Sequence, residues 1–289
     1  MNHQAWLNGA LCEQSLVYDR GLAYGDGFFT TILCNKKQPL NWLGHWQRIQ
    51  HSLQTLKLGD IDQILLIQEL KTALSESSFD GFCILKLIVT RGSGGRGYAP
   101  STSAKLQRLI YVLPAPFQSE NATSLAELNA IVCQTLASIN PSLAGLKHLN
   151  RLENVLARNE VVEKGCDEGL MFNHDGHLVG GTQTNIVLIR QTSHGLQAMT
   201  PKLNASGVQG TCLSALKNLS SDLNWQERHV TLADLRTAEA LFVCNAVRGV
   251  QAIKQLIITD QVTIDYAIEP VQAINQAWWL WNLNQPGFQ

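Results

Sequence analysis

What the chain lacks narrows it first. No apolar run approaches the ~20 residues that a membrane-spanning helix needs, so no span is expected. Charge of either sign is missing in excess: 22 Lys and Arg stand against 23 Asp and Glu, net −1, which leaves no electrostatic basis for gripping nucleic acid or a lipid surface. Internal repeats and low-complexity tracts are absent, which excludes solenoids and long disordered linkers. Met1-Asn2-His3-Gln4 lacks the charged start and apolar core of a signal peptide, so a cytoplasmic protein is expected. Cysteine pairing is missing as well. Cys12, Cys34, Cys83, Cys133, Cys166, Cys212 and Cys244 are scattered, odd in number and never spaced Cys-x-x-Cys, which reads as small buried hydrophobes in a reducing compartment. The eight histidines show no paired spacing, so no metal site is expected.

What is present is a globular composition, 45% hydrophobic and 16% charged over 289 residues, enough for one large domain or two ordinary ones. Residues 4–8 and 28–34 read as strands, the second rich in aromatic and β-branched residues. Trp42, Leu43, Trp46, Ile49, Leu53 and Leu56 recur at helical spacing over 42–57, and a second helix is expected over 61–75. Residues 82–90 and 107–113 read as strands. Pro114, Pro116, Ser119, Glu120, Asn121 and Ser124 mark a candidate linker. The expected division is an N-terminal subdomain at 1–115, a linker at 116–123 and a C-terminal subdomain at 124–289. In the latter, strands are expected near 126–133, 168–173, 184–190 and 239–244, with helices after Asn150, near Val208 and over 269–283. Asn150 is the expected helix cap, with Glu153 at the capping-box position. Strands and helices mixed in two blocks argue for an α+β or α/β enzyme of two subdomains with a site between them.

Two stretches invite a chemical reading. Gly92-Ser93-Gly94-Gly95-Arg96-Gly97 satisfies Gly-x-Gly-x-x-Gly and follows a strand, but Tyr98-Ala99-Pro100-Ser101 comes next instead of the helix that a dinucleotide loop requires. A hairpin connection presenting Arg91 and Arg96 fits better, and two arginines on such a loop can clamp carboxylates; a plain solvated turn is the bland alternative. The second stretch is Gly145-Leu146-Lys147-His148-Leu149-Asn150-Arg151-Leu152-Glu153, where Lys147 sits on a short Pro/Gly-bounded loop ahead of an amphipathic helix. A lysine held there can act as a buried amine able to condense with a carbonyl, although a lysine taken at random is a surface charge.

The order of segments weighs more than either alone. Asp19-Arg20-Gly21, Tyr24-Gly25-Asp26-Gly27-Phe28-Phe29-Thr30-Thr31, His45-Trp46-Gln47-Arg48, Thr90 through Tyr98, the Lys147 stretch, Asn185-Ile186, Gly207-Val208-Gln209-Gly210 and Asn245-Ala246-Val247-Arg248-Gly249-Val250 follow one another along almost the whole chain. Together they resemble the fold-type IV pyridoxal-phosphate enzymes, and the Arg91–Tyr98 loop with His148-Leu149-Asn150-Arg151-Leu152-Glu153 resembles their aminodeoxychorismate lyase branch. The resemblance implies an α+β fold with α/β-type subdomains and pyridoxal 5'-phosphate as cofactor. It implies Lys147 as the Schiff-base lysine and acid/base catalyst, and a homodimer acting on a small molecule. It also implies Arg48 and the backbone N–H groups of Val208 and Gln209 as phosphate ligands, beside Gly207 and Asn245. A two-carboxylate substrate then makes Arg91, Arg96 and Arg248 candidate ligands, with Tyr98, Thr31 and Asn245 as polar neighbours and Thr31 a candidate for the chemistry.

One position departs from the pattern. The resemblance expects a glutamate five residues before Asn185, paired with the pyridine nitrogen, and Gly180 stands there. Asp and Glu are absent from Gly176 to Ser221. Three readings follow: a working lyase with a weaker electron sink, an engineered or accidental substitution, or a cofactor-binding homologue of low activity. An aminotransferase for D-amino or branched-chain amino acids on the same scaffold is the alternative function.

Overall fold

The alternation along 82–90 becomes a strand with one face in the core: Cys83, Leu85, Leu87 and Val89 are buried, while Phe82, Ile84, Lys86 and Ile88 are half-buried. The computed structural model describes residues 5–11, 18–117, 123–193, 195–219 and 223–288. The chain divides into one unit made of Met1–Glu120, Lys147–Asn150 and Asn282–Gln289, and a second made of Asn121–Leu146 and Arg151–Trp281. Each mixes helices with a sheet, an α+β architecture.

The first unit contains β1 (Ala5–Leu7), β2 (Ala10–Leu11), α1 (Arg20–Tyr24), β3 (Gly27–Asn35), β4 (Gln38–Pro39), α2 (Trp42–Thr55), α3 (Gln63–Glu76), β5 (Phe82–Thr90) and β6 (Gln107–Pro114). Its six-stranded sheet runs β2-β1-β6-β5-β3-β4, and every pairing is antiparallel. The buried sheet face joins Trp42, Ile49 and Leu53 of α2 with Leu66, Leu70 and Leu74 of α3 in one apolar cluster. Asp62 starts α3 by accepting from the Ile64 and Leu65 amides. The helix expected over 42–57 stops at Thr55, because Lys57 takes a left-handed φ of 50°. α1 was not expected. Five residues show no periodicity, and its signals are local: Asp19 accepts from Gly21 N, and Gly25 closes the helix at φ 65°.

Residues 147–150 lie with the first unit although a cut at the linker assigns them to the C-terminal block. Phe29 N donates to Lys147 O at 3.0 Å and Leu149 N to Gly27 O at 3.1 Å, so the segment is held as a short bridge along β3. Residues 118–122 of the expected linker lie outside the described residues.

The second part of the chain supplies β7 (Ala126–Val132), α4 (Leu152–Glu163), β8 (Glu168–Phe172), β9 (Leu178–Gly181), β10 (Asn185–Thr192), β11 (Gly195–Pro201), α5 (Thr211–Leu219), β12 (Asn224–Arg228), α6 (Leu232–Thr237), β13 (Ala240–Asn245), β14 (Gly249–Thr259), β15 (Val262–Asp265) and α7 (Glu269–Leu283). The sheet order is β12-β11-β10-β13-β14-β7-β8-β9, with β15 pairing on β14. β14 is parallel to β7, and β7 to β8. Ile186, Leu188, Leu241, Val243, Ile253 and Leu256 form its central apolar cluster.

Two expectations about helix starts are corrected. Arg151, not Asn150, stands at the cap of α4, without a side-chain capping bond. Glu153 does not reach back to close a capping box; its carboxylate accepts from Ser138 N at 2.8 Å and Ser138 Oγ at 2.6 Å. The helix expected near Val208 begins at Thr211, after a Gly-bounded loop. The six described cysteines are free, and all but Cys166 are buried. Among the described residues no helix is long and apolar enough to cross a membrane.

Candidate active site

Lys147 is placed by backbone bonds to β3, and its ammonium then lies 4.6 Å from the centroid of the Phe29 ring. A second ammonium, Lys86 Nζ, stands 5.3 Å from the same ring. Cations over an aromatic face are attracted by its quadrupole. Lys86 had no signal in the sequence; it reaches Phe29 because β3 and β5 pair with Thr31 opposite Lys86 and Phe29 opposite Ile88. Phe29 and Thr31 share a sheet face by the two-residue period of a strand. Thr31, the expected polar neighbour, is therefore on the face of Phe29 and beside Lys86, half-buried.

On the opposite face of β3, Thr30 meets a third cation, Arg48 of α2. Thr30 Oγ1 lies 2.7 Å from His45 Nδ1, and Arg48 Nη1 donates to Thr30 Oγ1 at 3.4 Å. Burial pulls the Arg48 pKa down to about 10, which leaves it a cation at neutral pH. Burial first, then the charges of Arg48 and Lys147, push His45 well below the usual histidine range, so its imidazole is neutral. Lys147, Lys86 and Arg48 give this part of the first unit an excess of positive charge, which suits an anion.

Arg91 has a different task from the one its loop suggested. Its Nε donates to Asp26 Oδ2 at 2.8 Å, its Nη2 to Asp26 Oδ1 at 3.1 Å and Leu56 O at 2.9 Å, and its Nη1 to Lys57 O at 2.8 Å. Arg20 shares the carboxylate through Nε at 2.8 Å and holds Gly97 O and Tyr98 O at 3.0 and 2.8 Å. Burial acts to raise the Asp26 pKa, but hydrogen bonds and charge from Arg91 and Arg20 hold it below the carboxylate range. Arg91 thus anchors the Gly-rich loop, with most of its N–H groups engaged. Arg96, at the exposed part of that loop, makes no side-chain bond to a described residue. Tyr98 is 86% exposed and packs edge-on against Tyr24 with ring centroids 5.4 Å apart.

In the second unit, Gly207 to Gly210 forms a loop ahead of α5. Gly145 N donates to Gly207 O at 3.0 Å, and Gln209 N donates to Gly145 O at 2.9 Å. The Gln209 amide is therefore engaged, against the expectation that it faces an anion, and its side-chain Nε2 goes to Ser214 Oγ at 3.0 Å. The Val208 carbonyl accepts from Asn185 Nδ2 at 2.9 Å, while the Val208 N–H makes no hydrogen bond among the described residues. α5 opens directly afterwards, its first bond running from Ser214 N to Gly210 O at 3.0 Å. An amide without a partner beside a helix N-terminus is an anion site in the making. Glycine is required at 210: a Cβ there would lie 1.8 Å from Asn185 Oδ1. Asn245, at the end of β13, closes the turn after it by accepting from the Val247 and Arg248 amides at 3.0 and 2.8 Å. Arg248 is half-buried, and its guanidinium makes no bond to a described residue.

Gly180 is where the structure explains a departure. A Cβ at that position would lie 2.8 Å from Thr184 O, a backbone atom. The turn is tight because Glu168 locks it from behind. That carboxylate, 2% exposed, accepts from Gly169 N at 2.9 Å, Thr182 N at 3.0 Å and Thr184 Oγ1 at 2.9 Å, and from the Thr182 hydroxyl. With both oxygens engaged, Glu168 does not substitute for an acid at 180. Asp175 lies in an exposed turn. Neither carboxylate upstream of Gly180 takes its place.

The whole chain was compared with known proteins. Residues 27–256 match the family described as amino-transferase class IV. Aminodeoxychorismate lyase of Vibrio harveyi is 32% identical over 254 residues, 86% of this chain and 89% of that protein. The crystal structure of 4-amino-4-deoxychorismate lyase from Pseudomonas aeruginosa superposes with a TM-score of 0.82 at 33% identity, covering 94% of this chain and 96% of that one. The branched-chain amino acid aminotransferase of Escherichia coli shares the fold at 18% identity, with a TM-score of 0.81 over 98% and 95% of the two chains. With its Lys147 amine set over Phe29 and a glycine-bounded loop opening α5, the chain belongs to the amino-transferase class IV family, the fold-type IV enzymes that use pyridoxal 5'-phosphate.

Proposed function

We propose that this protein is a 4-amino-4-deoxychorismate lyase, which splits its substrate into 4-aminobenzoate and pyruvate. The observation that carries the reading is the Lys147 ammonium, fixed 4.6 Å above Phe29 with Lys86 on the same ring, in a chain one third identical to two lyases over most of its length. The residues present fit pyridoxal 5'-phosphate. In the first unit Lys147 supplies the amine and the half-buried Arg48 is a cation suited to a phosphate; in the second, the Val208 amide and the α5 N-terminus by themselves suit an anion. Asn245 and Gly207 shape the phosphate side. When bound, the cofactor draws electrons from the substrate carbon that carries nitrogen.

Lys147 Nζ then takes the proton from that ring carbon. The electron pair left behind forms the new ring double bond and expels the enolpyruvyl oxygen, breaking the carbon–oxygen bond. The ring becomes aromatic, and protonation of the enolpyruvate carbon gives pyruvate. Substrate and the two products balance without water. A positioned base of this kind contributes ~10²–10⁴-fold. The two substrate carboxylates call for cations. Arg96, Arg248 and Lys86 are assigned to them, with Tyr98 and Thr31 as polar neighbours, while Arg91 holds the loop. The reaction needs less stabilisation of the carbanion than amino transfer does, because aromatisation drives it, and this accommodates Gly180. The same reading places the chain in folate biosynthesis as a cytoplasmic homodimer.

The test is a product assay with 4-amino-4-deoxychorismate generated enzymatically from chorismate. Equal amounts of 4-aminobenzoate and pyruvate are expected. Amino transfer to a keto acid without 4-aminobenzoate would replace the lyase reading with the aminotransferase one.

A further inference from the structure

We infer that His45 is a positioning residue for Arg48, its unprotonated Nδ1 holding the Thr30 hydroxyl so that the hydroxyl oxygen faces the guanidinium. The inference rests on the reading that Arg48 meets the cofactor phosphate. His45 and Arg48 lie three residues apart on α2, hence on one helix face, and Thr30 projects from β3 toward both. His45 is 1% exposed and Thr30 0%.

The direction of the hydrogen bonds follows from donor chemistry. A guanidinium only donates, so at the 3.4 Å contact with Arg48 Nη1 the Thr30 oxygen accepts. The Thr30 hydroxyl hydrogen is buried and needs an acceptor of its own. Its other side-chain partner among the described residues is His45 Nδ1, at 2.7 Å. Nδ1 therefore accepts, and the ring proton sits on Nε2. The neutral state that burial and two neighbouring cations impose on His45 agrees with this tautomer. A protonated His45 would donate through Nδ1, turn the hydroxyl hydrogen toward Arg48 and repel it. Leucine at 45 would fill the space but leave the hydroxyl to rotate.

The experiment titrates apoprotein with pyridoxal 5'-phosphate and, separately, with pyridoxal, which lacks the phosphate. His45→Leu is expected to weaken pyridoxal 5'-phosphate binding about tenfold or more, the size of a lost bond to a charged network, while pyridoxal affinity stays within about twofold. Thr30→Val, which deletes the hydroxyl at constant volume, is expected to do the same. His45→Asn, whose Oδ1 stands near the place of Nδ1, is expected to restore most of the difference. Equal weakening of both ligands, no weakening by Thr30→Val, or an Asn variant as poor as the Leu one would each overturn the inference. A wild-type protein that binds pyridoxal as tightly as its phosphate would instead overturn the assignment of Arg48, and the inference with it.

Discussion

Replacing Asp26 by Asn removes one carboxylate from between two arginines, and the structure sets the size of the effect. Asp26 is 16% exposed at its side chain, Arg20 6% and Arg91 17%. These are part-buried ion pairs, not surface ones. Breaking a fully buried pair costs about 3–5 kcal/mol. Here Arg20 keeps Gly97 O and Tyr98 O, and Arg91 keeps Lys57 O and Leu56 O, so the lower end applies: about 3 kcal/mol, or roughly 6–12 °C in Tm. The pH dependence gives a second check. The folded-state pKa of Asp26 lies below its usual 3.8, so its stabilisation is complete above the unfolded value and is lost as pH falls through the depressed folded value. Thermal unfolding of wild type and Asp26→Asn should thus show a constant gap from neutral pH down to about 4, and a narrowing gap below. Because Arg20 and Arg91 hold both ends of the loop that presents Arg96, KM should rise as well. A loss under about 1 kcal/mol at neutral pH, the range of an exposed pair, or a gap that ignores pH would refute this account of the cluster.

Two glycine positions give further predictions. Gly210→Ala places a Cβ 1.8 Å from Asn185 Oδ1; Asn185 must release the Val208 carbonyl, and pyridoxal 5'-phosphate affinity should fall about tenfold or more in a titration. Gly180→Glu restores the acid that the family resemblance expects, yet its Cβ meets Thr184 O at 2.8 Å. It should lower stability by about 1–3 kcal/mol in chemical unfolding. It should not raise turnover; higher turnover at unchanged stability would show that a side chain fits there.

Strands β5 and β6 and helix α2 were legible because one face of each meets a core, and burial imprints its period on the sequence. α1 is too short for a period. β14 escaped because Gln251, Lys254 and Gln255 interrupt its apolar run, although Gln251 is buried. The candidate site was legible in its local motifs and not in its pairings. Lys147, Arg48 and the 207–210 loop each announce themselves within a few residues. Lys86 depends on strand register, Asp26 lies 65 residues from the arginine it binds, and Glu168 lies 16 from the threonine it locks. The reassignment of Arg91 follows from the same limit, since a loop arginine shows its charge in sequence but not its partner. Gly180 stood out as a departure, and its cause, the Glu168 lock, needed the fold.

The central claim is that Lys147 is the amine that joins the cofactor and moves the proton. Protein loaded with pyridoxal 5'-phosphate should be reduced with borohydride, digested and mapped by mass spectrometry. The account predicts loss of the visible absorption band and a single pyridoxyl-phosphate label on Lys147, with Lys147→Ala unlabelled there and inactive in the product assay. A label on Lys86 in place of Lys147, or full lyase activity in Lys147→Ala, would contradict it.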